Sequence, residues 1–318
     1  MASGANAGKT YIQAGEESTY ANEAAAINVA FGKGQTYSKT GRRNITQVRG
    51  TGSRNPEALV EGKFDGSGSI NWTVCSGYFL KLAFGAVANA GSGPYTHKYT
   101  EADETPSFTT EIGMAATTGT SVFKLLGCKC NNITITVGEN APVTASMEVI
   151  YADEEEGTTY DDSAATDSEA PFGFGLSKIT IDGVTIDRMR NWSFSMGNNA
   201  ILIHGTESQT ASAALDTTRG YSLTLNPNYE QATRLWEVMS GSGTGIATTG
   251  SEKTMAVILD NGLSTTSSRK IHIDMLNSKI DDHTVSFESP EDLVREGVTF
   301  IAKSGSATAT DNTATDPW

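Results

Sequence analysis

Alternation of apolar and polar positions dominates the chain, and one long alternating stretch occurs twice. Leu126-Gly-Cys-Lys-Cys-Asn-Asn-Ile-Thr-Ile-Thr-Val137, running on through Met147-Glu-Val-Ile150, predicts two strands joined by a polar turn that carries Pro142. Leu276-Asn-Ser-Lys-Ile-Asp-Asp-His-Thr-Val-Ser-Phe287, running on past Pro290 through Val298-Thr-Phe-Ile301, is a diverged copy. Lys129 aligns with Lys279, Asn131-Asn132 with Asp281-Asp282, Thr134 with Thr284 and Ile135 with Val285. Each copy reads as a β-hairpin.

The rest of the chain can be read outward from these hairpins. Residues 1–10 are small and polar and read as a flexible arm, and a short strand follows at Thr10–Gln13. A loop runs from Gly15 to Ala24, and a strand is expected from Arg42 to Arg49. Gly50-Thr-Gly-Ser-Arg-Asn-Pro56 cannot continue that strand and reads as a long exposed loop. Ile70, Trp72 and Val74 share one face of a strand over Gly66–Val74. Cys75, Phe79, Leu82 and Ala86 form the stripe of a helix over Cys75–Ala86. Strands are expected at Tyr95–Tyr99 and Thr105–Ile112.

The second half brings the same elements. Asp182-Gly183 predicts a two-residue turn between strands Leu176–Ile181 and Val184–Met189. Trp192, Phe194 and Met196 alternate in the next strand. Ala200–His204 leads to Gly205-Thr-Glu-Ser208, at the place of Gly50-Thr-Gly-Ser53. Tyr221–Leu225 matches Ser69–Thr73, with Leu223 over Ile70 and Leu225 over Trp72. Asn226-Pro227 starts a second helix, with Asn as cap and Pro in the first turn; Tyr229, Ala232, Trp236 and Met239 form its buried stripe. Strands at Met255–Leu259 and Lys270–Leu276 precede the second hairpin. The expected organisation is one β-rich domain duplicated. The first spans residues 1–152 with its arm 1–10, and an acidic linker covers 153–171. The second spans 172–303, followed by a flexible tail at 304–318.

Composition agrees with a turn-rich β protein. The 318 residues are 37% hydrophobic and 19% charged, with 33 glycines. A net charge of −14 opposes general attraction to nucleic acid. No run approaches the roughly 20 apolar residues of a membrane helix, so no membrane association is expected. The opening Met-Ala-Ser-Gly lacks the regions of a signal peptide, and synthesis in a cytoplasm is expected.

Candidate chemistry is sparse. Cys75, Cys128 and Cys130 are too few for a disulfide framework. Cys128 and Cys130, on one strand face, are half a metal site or two small core residues; no second Cys/His pair has ligand spacing, which favours the core. The carboxylates of 153–171 match no Ca²⁺ loop and read as a solvated linker. Of the four histidines, His272 and His283 lie near Asp274, Asp281 and Asp282. A surface ion pair explains those better than a catalytic pair, because no nucleophile, phosphate loop or His-Glu-x-x-His accompanies them. No enzyme activity and no cofactor are expected. Arg42, Arg43, Arg49 and Arg54 gather beside the exposed loop with Asn55 and Pro56. In so acidic a chain they suit the carboxylates of a partner subunit.

Three stretches carry a family resemblance. Glu16-Glu-Ser-Thr-Tyr-Ala-Asn-Glu-Ala24 looks like the opening of tail tube proteins of long-tailed bacteriophages, with Ala21 where Gly is common. Gly50–Pro56 resembles their Gly-x-x-Ser/Arg-x-Pro loop. Pro106–Gly113 and Leu126–Ile135 are similar to their core strands. The resemblance covers residues 10–152, and the second half joins through the internal repeat. It implies two tandem β-sandwich or barrel domains, each with one flanking α-helix. It further implies homotrimeric rings of pseudo-sixfold symmetry that stack into a tube in the virion tail. DNA would pass through a negative lumen without specific binding. Tape measure, tail terminator and distal tail proteins are the implied partners, and synthesis is in the host cytoplasm. Loops 50–62 and 205–218, the N-terminal segment and the linker are the expected contacts between rings, and Arg42, Arg43, Arg49, Arg54, Asn55, Pro56, Glu207 and Ser208 are the expected residues of contacts between rings or subunits. A β-sandwich adhesin or capsid-decoration protein is the alternative, with less reason for a near-equal tandem duplication.

Overall fold

The computed structural model describes residues 5–52, 54–116, 119–157, 159–161, 163–186, 189–227, 252–263, 268–286 and 295–318. It is mainly β, and its strands pair antiparallel throughout. Eight strands make a central sheet. In spatial order they are β2 (Lys33–Arg42), β5 (Asp65–Thr73), β10 (Thr144–Tyr151), the second half of β9 (Gly119–Val137), β14 (Met189–Gly197), β17 (Gly220–Pro227), β20 (Arg295–Ala302) and the second half of β19 (Lys270–Ser286). The sheet is open at both ends, and no barrel closes among the described residues.

Two further sheets hang from the long strands. The first half of β9 pairs on one side with β8 (Phe108–Ala116), which pairs β1 (Ala5–Glu16), and on the other with β11 (Asp153–Gly157). The first half of β19 pairs with β18 (Lys253–Asp260), then β12 (Ser177–Ile181) and β13 (Val184–Thr185). Its other side takes β21 (Ser304–Asp311), then β7 (Tyr95–Glu101) and β6 (Gly85–Ala90). Both long strands change sheets at a residue in the left-handed region, Gly127 (φ 66°) and Asn277 (φ 55°). Each then carries a bulge: Asn131 is skipped between Cys130 and Asn132, and Asp281 between Ile280 and Asp282.

Alternation decides which face is buried. Ile70 and Trp72 of β5, Ile133 and Ile135 of β9, Phe194 and Met196 of β14, and Leu223 and Leu225 of β17 all point inward. They share one core with Ile12, Phe108 and Ile112 of the first flanking sheet and with Val257, Ile273 and Ala307 of the second. The layers therefore form a sandwich, and its core runs unbroken through both halves of the sequence.

Several expectations change. The first helix, α1, covers only Leu80–Phe84. It stops because Gly85 sits at φ 103°, where a Cβ would lie 2.7 Å from that of Ala102. Ala86 lies in the strand that follows, β6. The second helix is expected to start at Asn226-Pro227, but both residues end strand β17; Tyr229, Ala232, Trp236 and Met239 lie outside the described residues, as does Pro290. The arm 1–10 is strand from Ala5 onward and pairs with β8, with a register shift between Ala5 and Thr10.

The acidic linker opens as strand β11, and its later part is tied down. Arg269 donates to the carbonyls of Cys75 (2.5 Å) and Ala170 (2.9 Å). The expected flexible tail is strand β21, whose Ala307 and Ala309 are buried between β7 and β19. Beyond it, Trp318 packs on Phe31 at 5.9 Å. Register also corrects one alignment. Ile70 faces Met147 and Leu225 faces Val298, so Leu225 and not Leu223 stands at the level of Ile70. Alternation repeats every two residues, so a slip of two leaves the sequence pattern unchanged.

Candidate functional site

The central sheet consists of two four-stranded runs with the same strand order and sense. One is β2-β5-β10-β9 and the other β14-β17-β20-β19. They meet in the middle, where Asn132–Val137 of β9 pairs with Trp192–Gly197 of β14. That joint buries Ile135 completely. The two strands in the same positions at the ends of the sheet, β19 and β2, pair on their outer sides with no strand among the described residues. Val285 of β19, the counterpart of Ile135, is 50% exposed. Open edges of this kind invite pairing with another chain.

Each run also projects a hairpin arm from the same place, after its first strand. The first arm is β3 (Thr46–Val48) with β4 (Ala58–Val60), and the second is β15 (Ile201–His204) with β16 (Ala211–Leu215). The second arm is docked on the first run. The Asn131 side chain accepts from the backbone of Ala200 at 2.9 Å. His204 Nε2 lies 2.8 Å from the Phe64 carbonyl, and the Phe64 amide donates to Gln209 O at 2.8 Å. At its root, Asp216 accepts from Thr105 through the amide (2.6 Å) and the hydroxyl (2.8 Å), and lies 3.5 Å from Lys129 Nζ. Among the described residues the first arm has no such seat. Ile45 and Leu59 are 56% and 64% exposed, whereas Ala200 and Ala214 at the same positions of the second arm are buried.

The residues singled out in the sequence fall on these features, and only some meet. Arg42 ends the edge strand β2. Arg43 reaches Glu61 at 3.3 Å, at the root of the first arm. Arg49 donates to Arg54 O at 3.4 Å, so these two join at the tip, where Asn55 and Pro56 are also exposed. Glu207 and Ser208 occupy the tip of the second arm, beside Gln209, whose side chain donates to Glu61 at the root of the first arm at 3.4 Å.

The solvent face of the central sheet carries mainly hydroxyls and amides. Ser38 and Ser69 are 2.9 Å apart, Thr136 and Thr144 3.0 Å, and Thr224 and Thr299 3.2 Å. Thr134 and Ser195 bridge the central joint at 3.4 Å. The sequence made this face polar by alternation but did not distinguish it from other exposed strand faces.

One feature of the resembling motif was not legible as such. Glu17 is buried, and its carboxylate accepts from Ala21 N (2.9 Å), Thr109 Oγ1 (2.9 Å) and Gly127 N (2.8 Å). It thus binds the end of β1 to the point where β9 changes sheets. Ala21, the donor four residues on, stands at φ 57°, in the left-handed region.

The groups with chemical potential are otherwise occupied. Cys75, Cys128 and Cys130 are free and buried, and burial pushes the Cys128 thiol up to about 12. His272 lies 3.1 Å from Asp274, and His283 pairs with Glu296 at 2.6 Å and not with Asp281 or Asp282. Among the described residues no group of three or more His, Cys, Asp or Glu is placed to hold a metal. Among them, too, no helix is long and apolar enough to cross a membrane.

The phage tail tube protein family model matches residues 8–302 of the chain. Among curated proteins none matches it.

Proposed function

The chain belongs to the phage tail tube protein family, and from that membership we propose that three copies close head to tail into a ring of six similar wall segments. The protein is a structural component of the virion tail, where it assembles with itself and with other tail proteins. Rings stack, and the stack conducts DNA at ejection. The two runs derive from duplication of one tube domain, which is why three chains suffice for six segments. Tape measure, tail terminator and distal tail proteins meet the tube at its core and ends. Synthesis takes place in the host cytoplasm.

One observation carries this reading: two runs of identical strand order are joined edge to edge in one sheet, with the same two edges left open at its ends. A heterologous joint of this kind generates a ring when its rotation closes. The hydroxyl-rich face of the sheet is the lumen wall. It offers DNA hydrogen-bonding groups but few cations, and the net charge of −14 discourages adhesion. Mass measurement of the purified chain by light scattering, with negative-stain microscopy, tests the proposal. Three-chain rings or hollow tubes are expected. A compact monomer at every concentration overturns it.

A further inference from the structure

We propose that the joint between neighbouring chains copies the joint inside each chain, residue for residue, with the first arm of one chain seated on the second run of the next. This rests on the head-to-tail reading above and adds the register and the seat. Inside the chain, Gly197 faces Asn132, Ser195 faces Thr134 and Ser193 faces Thr136. The pairings of each run with its inner strands place Arg42, Thr40 and Ser38 where Gly197, Ser195 and Ser193 stand. The matching bulges at Asn131 and Asp281 place Asp282, Thr284 and Ser286 where Asn132, Thr134 and Thr136 stand. Between chains, therefore, Arg42 faces Asp282, Thr40 faces Thr284 and Ser38 faces Ser286.

Charge agrees with that register. The central joint sets a glycine against an asparagine, and the copied joint sets an arginine against an aspartate. Opposite charges at facing positions favour one register and one partner. The arm supplies a second, independent match. Asp216 at the root of the second arm contacts Lys129, and both side chains are buried. The same two positions in the copied joint hold Glu61 and Lys279, both exposed in the single chain. Seating the arm brings these two together and covers Ile45 and Leu59. The occupant of the open edge is thus a second copy of this chain.

The test is the paired variant Thr40→Cys with Thr284→Cys. Their counterparts Ser195 and Thr134 have hydroxyl oxygens 3.4 Å apart, a separation compatible with disulfide formation across the pair. Within one chain the two sites lie at opposite ends of eight strands, so roughly 30 Å of sheet separates them and any link joins different chains. The three native cysteines are buried. Assembled protein is oxidised mildly and run on a non-reducing gel. Covalent dimers and trimers are expected. A control pairing Thr40→Cys with Val285→Cys, which points to the other face, is expected to yield at least tenfold less. Rings that form but do not cross-link, or that cross-link equally in the control, overturn this register and leave the ring standing. A chain that stays monomeric overturns both. Glu61→Lys is expected to raise the concentration needed for assembly at least tenfold, with Lys279→Glu restoring it. An unrestored double variant rejects the seat.

Discussion

Replacing Glu17 by glutamine changes one atom and should destabilise the chain well beyond its size. The carboxylate is buried and accepts three hydrogen bonds of 2.8–2.9 Å from Ala21, Thr109 and Gly127. A glutamine oxygen can keep the two from Thr109 and Gly127. Its amide nitrogen then confronts the Ala21 N–H, donor against donor, and the remaining bonds lose their charge assistance. A hydrogen bond to a charged group contributes about 1.5–3 kcal/mol, and an orphaned buried donor costs about 1–3 kcal/mol. The carboxylate's own desolvation offsets part of this, leaving a loss of about 2–3 kcal/mol. In a chain of this size that is a fall in Tm of roughly 3–5 °C. Glu16→Gln is the control: its ion pair with Lys81 at 2.6 Å is partly exposed, and such pairs contribute about 0–1 kcal/mol. Both variants are melted at one scan rate and at a concentration below assembly. If Glu17→Gln melts with Glu16→Gln, the three-donor cradle does not hold the sheet crossing.

Ala21→Gly should stabilise the chain by about 0.5–1 kcal/mol because Ala21 sits at φ 57°. Asn277→Gly should be near neutral, since asparagine tolerates its φ of 55°; thermal melts of both check the difference. Deleting residues 50–58 should leave far-UV circular dichroism and Tm near those of the intact chain while abolishing tubes in negative-stain images. Asp182 has its carboxyl pKa lowered by the hydrogen bond from Lys253 at 2.7 Å. Its stabilisation is therefore present above the ordinary carboxylate pKa, about 4, and lost as pH falls through the lowered value. Lys253→Met should move the Asp182 midpoint back up in a carbon-detected NMR titration.

The fold was legible wherever side chains large enough to alternate visibly did so. The two hairpins, the Asp182-Gly183 turn and the Trp192, Phe194, Met196 face all appear in the structure. Where the inward residues are small, the pattern failed. Strand β21 alternates alanine with serine and threonine, which reads as a polar tail until β7 and β19 are seen on either side of it. The helix expected over Cys75–Ala86 is only Leu80–Phe84; at its end the apolar stripe continues to Ala86, past Gly85, whose backbone leaves the helix. Of the site, the arginines and both arm tips were legible as charge and turn chemistry. The docking was not. Whether Ala200 is covered and Ile45 is bare depends on which run lies beside each arm, and that depends on the order of strands in space. Glu17 reads as part of a motif without a cause, because two of its three donors, Thr109 and Gly127, lie about a hundred positions away.

A joint copied within and between chains need not be equally strong in both places, and here the side chains differ. The central joint sets Trp192 against Val137, Phe194 against Ile135 and Met196 against Ile133. At the proposed chain-to-chain joint, Lys39 and Gly41 would replace Phe194 and Met196, facing Val285 and His283. Apolar cross-strand pairs contribute about 0.2–1 kcal/mol each, so losing two weakens the outer joint by about 0.5–2 kcal/mol. The outer joint must also meet the entropy of association, which the inner one avoids by being covalently linked. Its added attraction, Arg42 with Asp282 and Glu61 with Lys279, is electrostatic. Raising salt from 0.1 to 1 M shortens the Debye length from about 10 to about 3 Å and weakens the outer joint selectively. Rings should therefore dissociate in salt or low urea to folded monomers, seen by light scattering before any change in far-UV circular dichroism. Coincident loss of assembly and fold would show that the two joints are one cooperative unit, and the separation of a permanent inner joint from a reversible outer one would fail.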